Sequence, residues 1–331
     1  MHKQEIYFGA PGSGKSHSVD EMIKNLKEDL IKFRVTIHPE FTYSDFVGQL
    51  LPCKTINAGD NYFEFVPGPF TIALREAFSD TNREVYLILE ELSRGNVAAI
   101  FGDIFQLLDR DEYFKSKYPI VNENVASLIP EIIGSEIYLP SNFNIISTVN
   151  INDQSVFPMD TAFKRRFDWI YVSSNPAIDN ASGSVNKKLN NPKLSIATPH
   201  SRIDTNWLSF YTALNKYIVD KNEGMGRNED RQIGQFFLKF GEQDVVDTYS
   251  SDPMVADTAL THVNNVIKNK LLLYLWQDVQ GISAFGAAGS LFAMGINSFD
   301  DLFNSYPLHP VFSDAFLDNF LGPNANIYPY K

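Results

Sequence analysis

The segment GAPGSGKS, from Gly9 to Ser16, constrains the fold of this chain more than any other feature of its sequence. It follows a short predicted strand, Gln4–Phe8, and precedes a stretch with apolar residues at helical spacing. The pattern G-x-x-x-x-G-K-[ST] between a strand and a helix is typical of a phosphate-binding loop, in which backbone amides and the helix N-terminus face the phosphates. We therefore expect the chain to fold around a P-loop and to bind a nucleoside triphosphate.

The residues of this loop are expected to hold the nucleotide in different ways. The ammonium group of Lys15 should reach the β- and γ-phosphates, and the hydroxyl of Ser16 should bind Mg²⁺. The candidate nucleotide-binding residues are Gly9, Ala10, Pro11, Gly12, Ser13, Gly14, Lys15, Ser16 and His17.

The second feature is an apolar strand that ends in two acids. The strand Glu84–Leu89 is followed directly by Glu90 and Glu91. P-loop enzymes use acids at this position to hold the metal and to orient the attacking water. We therefore interpret Glu90 as a ligand of Mg²⁺ through an ordered water, and Glu91 as the general base, although an aspartate is usual at the first position. The alternative is an ordinary solvated strand end.

A third group of candidates follows another buried strand, Phe143–Val149. Asn150 comes directly after it and Asp153 lies close behind, so both polar groups are suited to orient a water beside the γ-phosphate. Downstream, Arg165 and Arg166 stand at the end of a predicted helix. A planar, permanently charged guanidinium suits the charge of a phosphoryl-transfer transition state. Either arginine is therefore a candidate catalytic finger, whereas the alternative is a solvated basic face.

The pattern of elements predicts two domains. In residues 1–172 strand-like runs alternate with helical ones, which favours a parallel α/β sheet covered on both faces. One of these runs predicts an amphipathic helix over Asn96–Leu108. Residues 173–206 are rich in Asn, Ser and Pro and are interpreted as a linker or surface insertion. Residues 207–331 carry apolar residues at helical spacing, for example across Ala256–Val279, and predict an α-helical domain.

Composition and charge exclude several classes of protein. The chain has 331 residues, of which 44% are hydrophobic and 21% charged, as in globular chains. No apolar run reaches the length of about 20 residues that spans a bilayer, and no secretory signal is seen, so a cytoplasmic location is expected. The single cysteine, Cys53, excludes an internal disulfide. A net charge of −12 makes the chain a poor candidate for gripping duplex DNA alone.

The order and content of these motifs resemble one known family. The resemblance rests on the P-loop, ILEELSRGN (88–96), VNINDQS (149–155), AFKRRF (162–167), HPEFTYSDFVGQLLP (38–52) and DRQIGQFFL (230–238). These segments look like those of AAA+ ATPases in the dynein-related/MoxR branch, and most of all like McrB-type NTPase subunits of modification-dependent (type IV) restriction systems. That resemblance implies a P-loop AAA+ parallel sheet sandwiched by helices and followed by a smaller α-helical lid. Glu90 and Gln154 depart from the family, which has Asp and Arg there.

The same resemblance implies a function. It predicts an NTPase that hydrolyses GTP or ATP with Mg²⁺ in a homo-oligomeric, hexameric ring, where Arg165 or Arg166 acts on the neighbour's nucleotide. It also implies an McrC-like nuclease partner in DNA restriction and antiviral defence. Because the chain begins eight residues before Gly9, where family members carry a module that reads DNA, contact with DNA is expected to be indirect. The alternatives are a MoxR-like ATP-dependent chaperone that remodels proteins, and a nucleotide-gated assembly scaffold with little hydrolysis.

Overall fold

The computed structural model describes residues 2–26, 29–54, 61–150, 157–179, 181–281 and 289–322. The chain divides into two compact units. The first consists of residues 1–9 and 15–172, and the second of residues 10–14 and 173–331. Five residues of the phosphate-binding loop, 10–14, therefore group with the C-terminal part of the chain.

The first unit contains a parallel sheet. The strands of the first unit in chain order are β1 (Gln4–Phe8), β2 (Leu30–Thr36), β3 (Gly48–Lys54), β4 (Asn61–Pro67), β5 (Glu84–Glu90), β6 (Ile120–Val121), β7 (Glu136–Ile137), β8 (Phe143–Val149) and β9 (Asp168–Tyr171). Five of them form a sheet in the order β2-β5-β8-β1-β9, with every neighbouring pair parallel. The remaining strands form two antiparallel pairs, β3 with β4 and β6 with β7. The expected α/β class with a parallel sheet is confirmed.

Helices cover both faces of this sheet, and its central strands β5 and β8 are accordingly buried at almost every position. The helices are α1 (Lys15–Lys24), α2 (Tyr43–Phe46), α3 (Pro69–Ser79), α4 (Val97–Phe101), α5 (Glu123–Ala126) and α6 (Thr161–Lys164). Alternate residues of a strand point to opposite faces. Leu87 and Leu89 of β5 accordingly pack in one apolar cluster, while Tyr86 and Ile88 pack with Val19 of α1 in another.

The single amphipathic helix predicted over Asn96–Leu108 is wrong. The structure has α4, which ends at Phe101, followed by a 3₁₀ segment over Gly102–Leu108. Gly102 has φ of 49°, which is unfavourable for residues with a side chain, and a Cβ there would lie 2.8 Å from Cδ2 of Tyr43. The apolar residues keep a helical spacing across this break because those of both segments are buried.

The second unit is mainly helical. Its helices are α7 (Trp207–Val219), α8 (Glu242–Asp247), α9 (Pro253–Val266), α10 (Leu272–Tyr274), α11 (Phe299–Ser305) and α12 (Asp314–Phe316). Helix α7 forms the centre of the core: Trp207 is fully buried and donates from Nε1 to the Gln235 carbonyl at 2.8 Å. The Phe210 ring lies 5.5 Å from that of Phe312 and 5.9 Å from that of Phe316. Helical structure in the C-terminal part is thus confirmed.

Two features of this unit differ from the sequence analysis or extend it. Within the segment interpreted as a linker, β10 (Lys193–Ala197) and β11 (Arg202–Asn206) form an antiparallel hairpin. Leu194 and Ile196 of β10 are buried in the core of the unit, so this stretch packs as part of the unit. The helical backbone continues from α9 through a π-helical turn, α10 and a second π-helical turn to Gln280. It ends at Gly281, which has φ of 67°. Across the described residues, no helix is both long and apolar enough to cross a membrane.

Candidate functional site

The phosphate-binding loop connects β1 to α1 along the chain. Gly12 and Gly14 have φ of 76° and 93°, a backbone conformation that favours glycine. Lys15 opens α1, is only 7% exposed, and donates from Nζ to the Gly9 carbonyl at 3.1 Å. Burial lowers the pKa of Lys15 from its ordinary value, and the carboxylates of Glu91 and Glu90 oppose that shift. The loop therefore has the backbone form and the buried cation that a phosphate-binding loop needs.

Residues 10–14 are held in the second unit by backbone hydrogen bonds. The Gly234 amide donates to the Pro11 carbonyl, and the Phe236 amide to the Gly12 carbonyl, both at 2.9 Å. A Cβ at Gly12 would lie 2.2 Å from the Phe237 nitrogen, so no other residue fits there without a shift of the backbone. The predicted binding residue Ala10 lies in the same stretch.

Two further residues of the loop region have distinct environments. The hydroxyl oxygen of Ser13 is buried and has no hydrogen-bond partner among the residues that the structure describes. A buried polar atom without a partner is costly, and a bound phosphate oxygen would accept its hydrogen bond. His17 is exposed instead, with Nε2 3.9 Å from Glu21 Oε1 on the same helix.

Glu90, at the end of β5, is the centre of a polar cluster. Its Oε2 accepts hydrogen bonds from Ser16 Oγ at 3.0 Å and Thr148 Oγ1 at 2.5 Å. Its Oε1 forms an ion pair with Arg34 Nη1 at 3.0 Å. The side chain of Glu90 is 12% exposed. The structure thus brings together the two residues that the sequence predicted as the magnesium site, Ser16 and Glu90.

The oxygen atoms of this cluster suit magnesium. Protein sites bind Mg²⁺ through one or two carboxylates together with substrate phosphates, and keep several waters on the metal. Ser16 Oγ and a carboxylate oxygen of Glu90 lie within hydrogen-bonding distance of each other and could share one ion or its water shell. Within the described ranges no group of three or more His, Cys, Asp or Glu is arranged to hold a metal alone. The donor set therefore fits an ion that arrives with a nucleotide.

Glu91 follows in an unusual backbone conformation. Its φ of 57° and ψ of 39° are left-handed, which is uncommon for a residue with a side chain. Asn150 Nδ2 donates to both of its carboxylate oxygens, at 3.1 and 2.9 Å, and Arg94 Nε lies 3.3 Å from Oε2. The Glu91 amide donates to Thr148 Oγ1 at 3.2 Å. The structure thus brings two predicted catalytic residues, Glu91 and Asn150, into direct contact.

Asn150 has a second polar side-chain atom besides the nitrogen that contacts Glu91. Its Oδ1 is buried and has no hydrogen-bond partner within the described part of the chain. An amide oxygen in that state accepts a hydrogen bond from a water that enters the site. The other predicted member of this group, Asp153, lies outside the described residues.

The two candidate arginines differ in environment. Arg166 is engaged within its own unit: Nη2 pairs with Asp109 Oδ2 at 2.6 Å, Nη1 donates to the Ala162 carbonyl at 2.7 Å, and the guanidinium lies 4.0 Å from the Phe105 ring centroid. Arg165 is exposed and directly follows α6. Arg166 is therefore tied to the fold, whereas Arg165 is accessible to another molecule.

Arg165 stands at the wall of a pocket on the first unit. The pocket has a volume of ≈ 780 Å³ and combines apolar side chains such as Phe157, Met159 and Trp169 with the cations Lys164 and Arg165. Helix α6 is fixed in place by its N-cap, because the side chain of the preceding aspartate accepts from the backbone of the third helical residue.

Sequence reasoning missed three residues of the site. Thr148 joins Glu90 to the Glu91 backbone, Arg94 contacts the Glu91 carboxylate, and Arg34 pairs with Glu90. Arg34 lies in β2 two residues before its carboxyl end, where parallel strands carry functional groups. The place of Arg34 near the strand end was a signal in the sequence that it belongs to the site. Its pairing with Glu90, however, depends on how β2 pairs with β5.

The buried loop lysine and the acidic end of β5, next to a polar residue at the end of β8, define a P-loop nucleoside triphosphatase. Residues 6–167 match the model of the AAA domain family, dynein-related subfamily. The chain is 32% identical over 302 residues to the type II restriction enzyme BsuMI component YdiS of Bacillus subtilis (strain 168), covering 84% of this chain and 79% of that protein. It belongs to the dynein-related AAA+ ATPases, in the group related to McrB-type restriction subunits.

A second relative extends this result. The type IV methyl-directed restriction enzyme EcoKMcrB subunit of Escherichia coli (strain K12) is 26% identical over 175 residues, which cover 52% of this chain and 36% of that protein. The resemblance to McrB-type subunits found in the sequence is confirmed by these relatives.

Proposed function

We propose that this chain is the NTP-hydrolysing subunit of a restriction enzyme, in which Mg²⁺-dependent hydrolysis of GTP or ATP in a ring controls a separate nuclease subunit. The observation that carries the proposal is the contact between Asn150 and Glu91 beside the Ser16–Glu90 pair. It supplies a base with a water-orienting amide next to a metal site and the loop lysine. The relatives, named as a restriction enzyme component and subunit, support the biological context.

The proposed reaction is direct attack of water on the γ-phosphorus. Asn150 Oδ1 orients the water, Glu91 takes its proton, and the bond from the γ-phosphorus to the β–γ bridging oxygen breaks, which releases the diphosphate and inorganic phosphate. Lys15 stabilises the phosphate charge through its ammonium group. A bound Mg²⁺, held by Ser16 and Glu90, would supply positive charge to the phosphate oxygens.

Hydrolysis by this scheme requires Glu91 to change its partners. Asn150 and Arg94 both contact its carboxylate, and Arg94 Nε lies 3.3 Å from Oε2. A carboxylate whose oxygens already accept several hydrogen bonds has fewer lone pairs available to take a proton from water. We therefore expect slow turnover by the isolated chain, and faster turnover once neighbours or a partner reposition Glu91.

The ring is proposed because the arginines described at the site, Arg34 and Arg94, contact Glu90 and Glu91, whereas phosphoryl transfer commonly uses an arginine directed at the phosphates. An arginine supplied by a neighbour stabilises transition-state charge in many P-loop enzymes. Arg165 suits that role because it is exposed, whereas the guanidinium of Arg166 already contacts Asp109 and Phe105. The pocket beside Arg165 is the surface proposed to face the neighbouring subunit.

The decisive experiment measures phosphate release by the purified chain with GTP and ATP side by side, alone and with candidate nuclease subunits. Lys15→Ala is the negative variant, and Lys24→Ala, which removes an exposed lysine at the end of the same helix, is its matched control. We expect slow release by the wild type and the control, none by Lys15→Ala, and acceleration by the correct nuclease subunit. Binding and assembly without release under any condition would contradict the proposal and favour a nucleotide-gated scaffold.

A further inference from the structure

Arg34 places a fixed positive charge inside the candidate magnesium site, and the reaction described above does not use it. Its Nη1 lies 3.0 Å from Glu90 Oε1, and its Nη2 pairs with Asp20 on α1. The guanidinium therefore bridges an acid of the candidate metal site and an acid that lies outside it. A cation this close to a metal ligand competes with the metal for the same carboxylate.

The two oxygens of Glu90 have separate partners. Oε2 accepts from Ser16 and Thr148, and Oε1 takes Arg34. The two hydroxyls hold Oε2, so the carboxylate keeps orienting contacts when Arg34 is replaced. The resemblance predicts an aspartate here, and a side chain shorter by one methylene would not reach as far toward β2. The glutamate and Arg34 therefore form a pair that an aspartate would not make in the same way.

The electrostatic environment makes this pair effective. Glu90 is 12% and Arg34 37% exposed, so water screens their interaction only in part. The carboxylate of Asp20, which is 44% exposed, offsets part of the positive charge of Arg34. The strength with which Arg34 holds Glu90 thus depends on Asp20, which does not touch Glu90 in this structure.

We propose that Arg34 sets the Mg²⁺ requirement of nucleotide binding by sharing Glu90 with the metal, and that Asp20 moderates this competition. Arg34 is a positioning residue, since it acts through Glu90. The inference rests on the proposed function, because it takes Glu90 as the magnesium acid. It predicts changes of opposite sign when Arg34 and Asp20 are altered, which loss of local structure would not produce.

The test titrates Mg²⁺ against binding of a fluorescent, non-hydrolysable triphosphate analogue and records the half-saturating Mg²⁺ concentration. Arg34→Gln should lower that concentration about tenfold, as expected for removal of one unit charge near a divalent ion in a largely aqueous setting. Arg34→Lys should stay close to the wild type. Asp20→Asn should raise the half-saturating concentration about two- to threefold, because Arg34 then loses its pair with Asp20 and attracts Glu90 more strongly.

Arg83→Gln is the matched control. Arg83 is also an arginine of the first unit, 39% exposed, and its Nε pairs with Asp29 at 2.8 Å. It should leave the half-saturating concentration unchanged. In a Glu90→Gln background, Arg34→Gln should lose most of its effect, because the shared carboxylate is gone. A full-sized effect that persists there would overturn the proposal.

The outcomes separate this inference from the proposed function. If the wild type binds the analogue independently of Mg²⁺, the proposed metal site is wrong. If binding needs Mg²⁺ but Arg34→Gln and Asp20→Asn shift the requirement in the same direction or not at all, only the role of Arg34 is wrong. Thermal unfolding of each ligand-free variant checks the fold, and if Arg34→Gln unfolds, the direction of the Asp20→Asn shift decides.

Discussion

The side-chain amide of Asn150 donates hydrogen bonds to both carboxylate oxygens of Glu91, at 3.1 and 2.9 Å. One nitrogen thus bridges the whole carboxylate, and Arg94 adds a contact at 3.3 Å to the same group. The residue proposed to activate water is therefore held by two of its neighbours.

Lys15→Ala should weaken nucleotide binding roughly 10- to 100-fold, because a hydrogen bond to a charged group contributes about 1.5–3 kcal/mol. The unfolding midpoint should change little, because loss of the hydrogen bond to the Gly9 carbonyl is offset by removal of a buried charge. Equilibrium binding of a fluorescent triphosphate analogue measures the effect, with Lys24→Ala as the control. Wild-type affinity in Lys15→Ala would mean that the nucleotide does not bind at this loop.

Glu91→Gln should bind nucleotide normally and hydrolyse it at least about 100-fold more slowly, since a general base contributes about 10²–10⁴-fold. The amide keeps the shape of the side chain and loses the base. Glu90→Gln should instead weaken the dependence of binding on Mg²⁺. Single-turnover phosphate release, combined with Mg²⁺ titration, distinguishes the two. If Glu90→Gln traps bound triphosphate and Glu91→Gln does not, the two roles are reversed.

Arg166→Ala should lower the free energy of unfolding by roughly 1–3 kcal/mol, because it removes a charged hydrogen-bonded partner of Asp109 and a cation–π contact. Arg165→Ala should leave the unfolding free energy within about 0.5 kcal/mol of the wild type, as expected for an exposed side chain. Denaturant titration monitored by tryptophan fluorescence measures both. Equal destabilisation by the two changes would contradict the distinct environments assigned to them.

Arg165→Ala should abolish turnover and recover part of it when mixed with Lys15→Ala chains. Each variant supplies what the other lacks: an intact loop in one, an intact arginine in the other. Phosphate release across a series of mixing ratios provides the measurement, and a mixture of Lys15→Ala with Lys24→Ala corrects for dilution. No recovery at any ratio would argue against an arginine that acts across a subunit boundary.

Arg110→Met should destabilise the fold by roughly 3–5 kcal/mol, because several buried acceptors would lose their donor at once. The guanidinium of Arg110 donates to Gln4 Oε1 and to four backbone carbonyls. Burial lowers the pKa of Arg110 to about 9. Arg75→Met, at a side chain that is 43% exposed, is the control. Denaturant unfolding should show the loss for Arg110→Met alone, and a small change there would mean that the acceptors find water instead.

The chain alone should bind duplex DNA weakly and without regard to base modification. Affinity for duplex DNA comes mainly from Lys and Arg that release counterions, and this chain carries 40 acidic against 28 basic residues. A titration with modified and unmodified duplex at about 0.15 M salt measures it. Tight, modification-selective binding by this chain would show that it reads DNA itself.

The strands at the centre of the sheet were the easiest elements to predict. β1 and β8 begin and end where the sequence placed them, at Gln4–Phe8 and Phe143–Val149, because buried parallel strands are short apolar runs bounded by polar or glycine residues. The helix over Asn96–Leu108 was harder, since its break depends on the Tyr43 ring that reaches Gly102 from another part of the chain. Periodicity does not record such a contact.

The site was predictable where a local motif carries the chemistry. The loop from Gly9 to Ser16 and the acids Glu90 and Glu91 stand in patterns that P-loop enzymes use around the bound phosphates, so they were expected to lie close together. Arg34 is 56 residues from Glu90, and its role depends on the register between β2 and β5, which no local pattern encodes. The difference between Arg165 and Arg166 likewise required the position of Asp109.

Glu91 combines a left-handed backbone, which lowers the stability of the fold, with the proposed role of general base. A residue with a side chain in that conformation costs on the order of 1 kcal/mol, which glycine avoids and asparagine reduces. Replacement of Glu91 by glycine would relieve this backbone cost, but it would also remove the hydrogen bonds from Asn150, the contact with Arg94 and the proposed general base. Any engineering of this chain for heat resistance must therefore screen turnover alongside melting temperature.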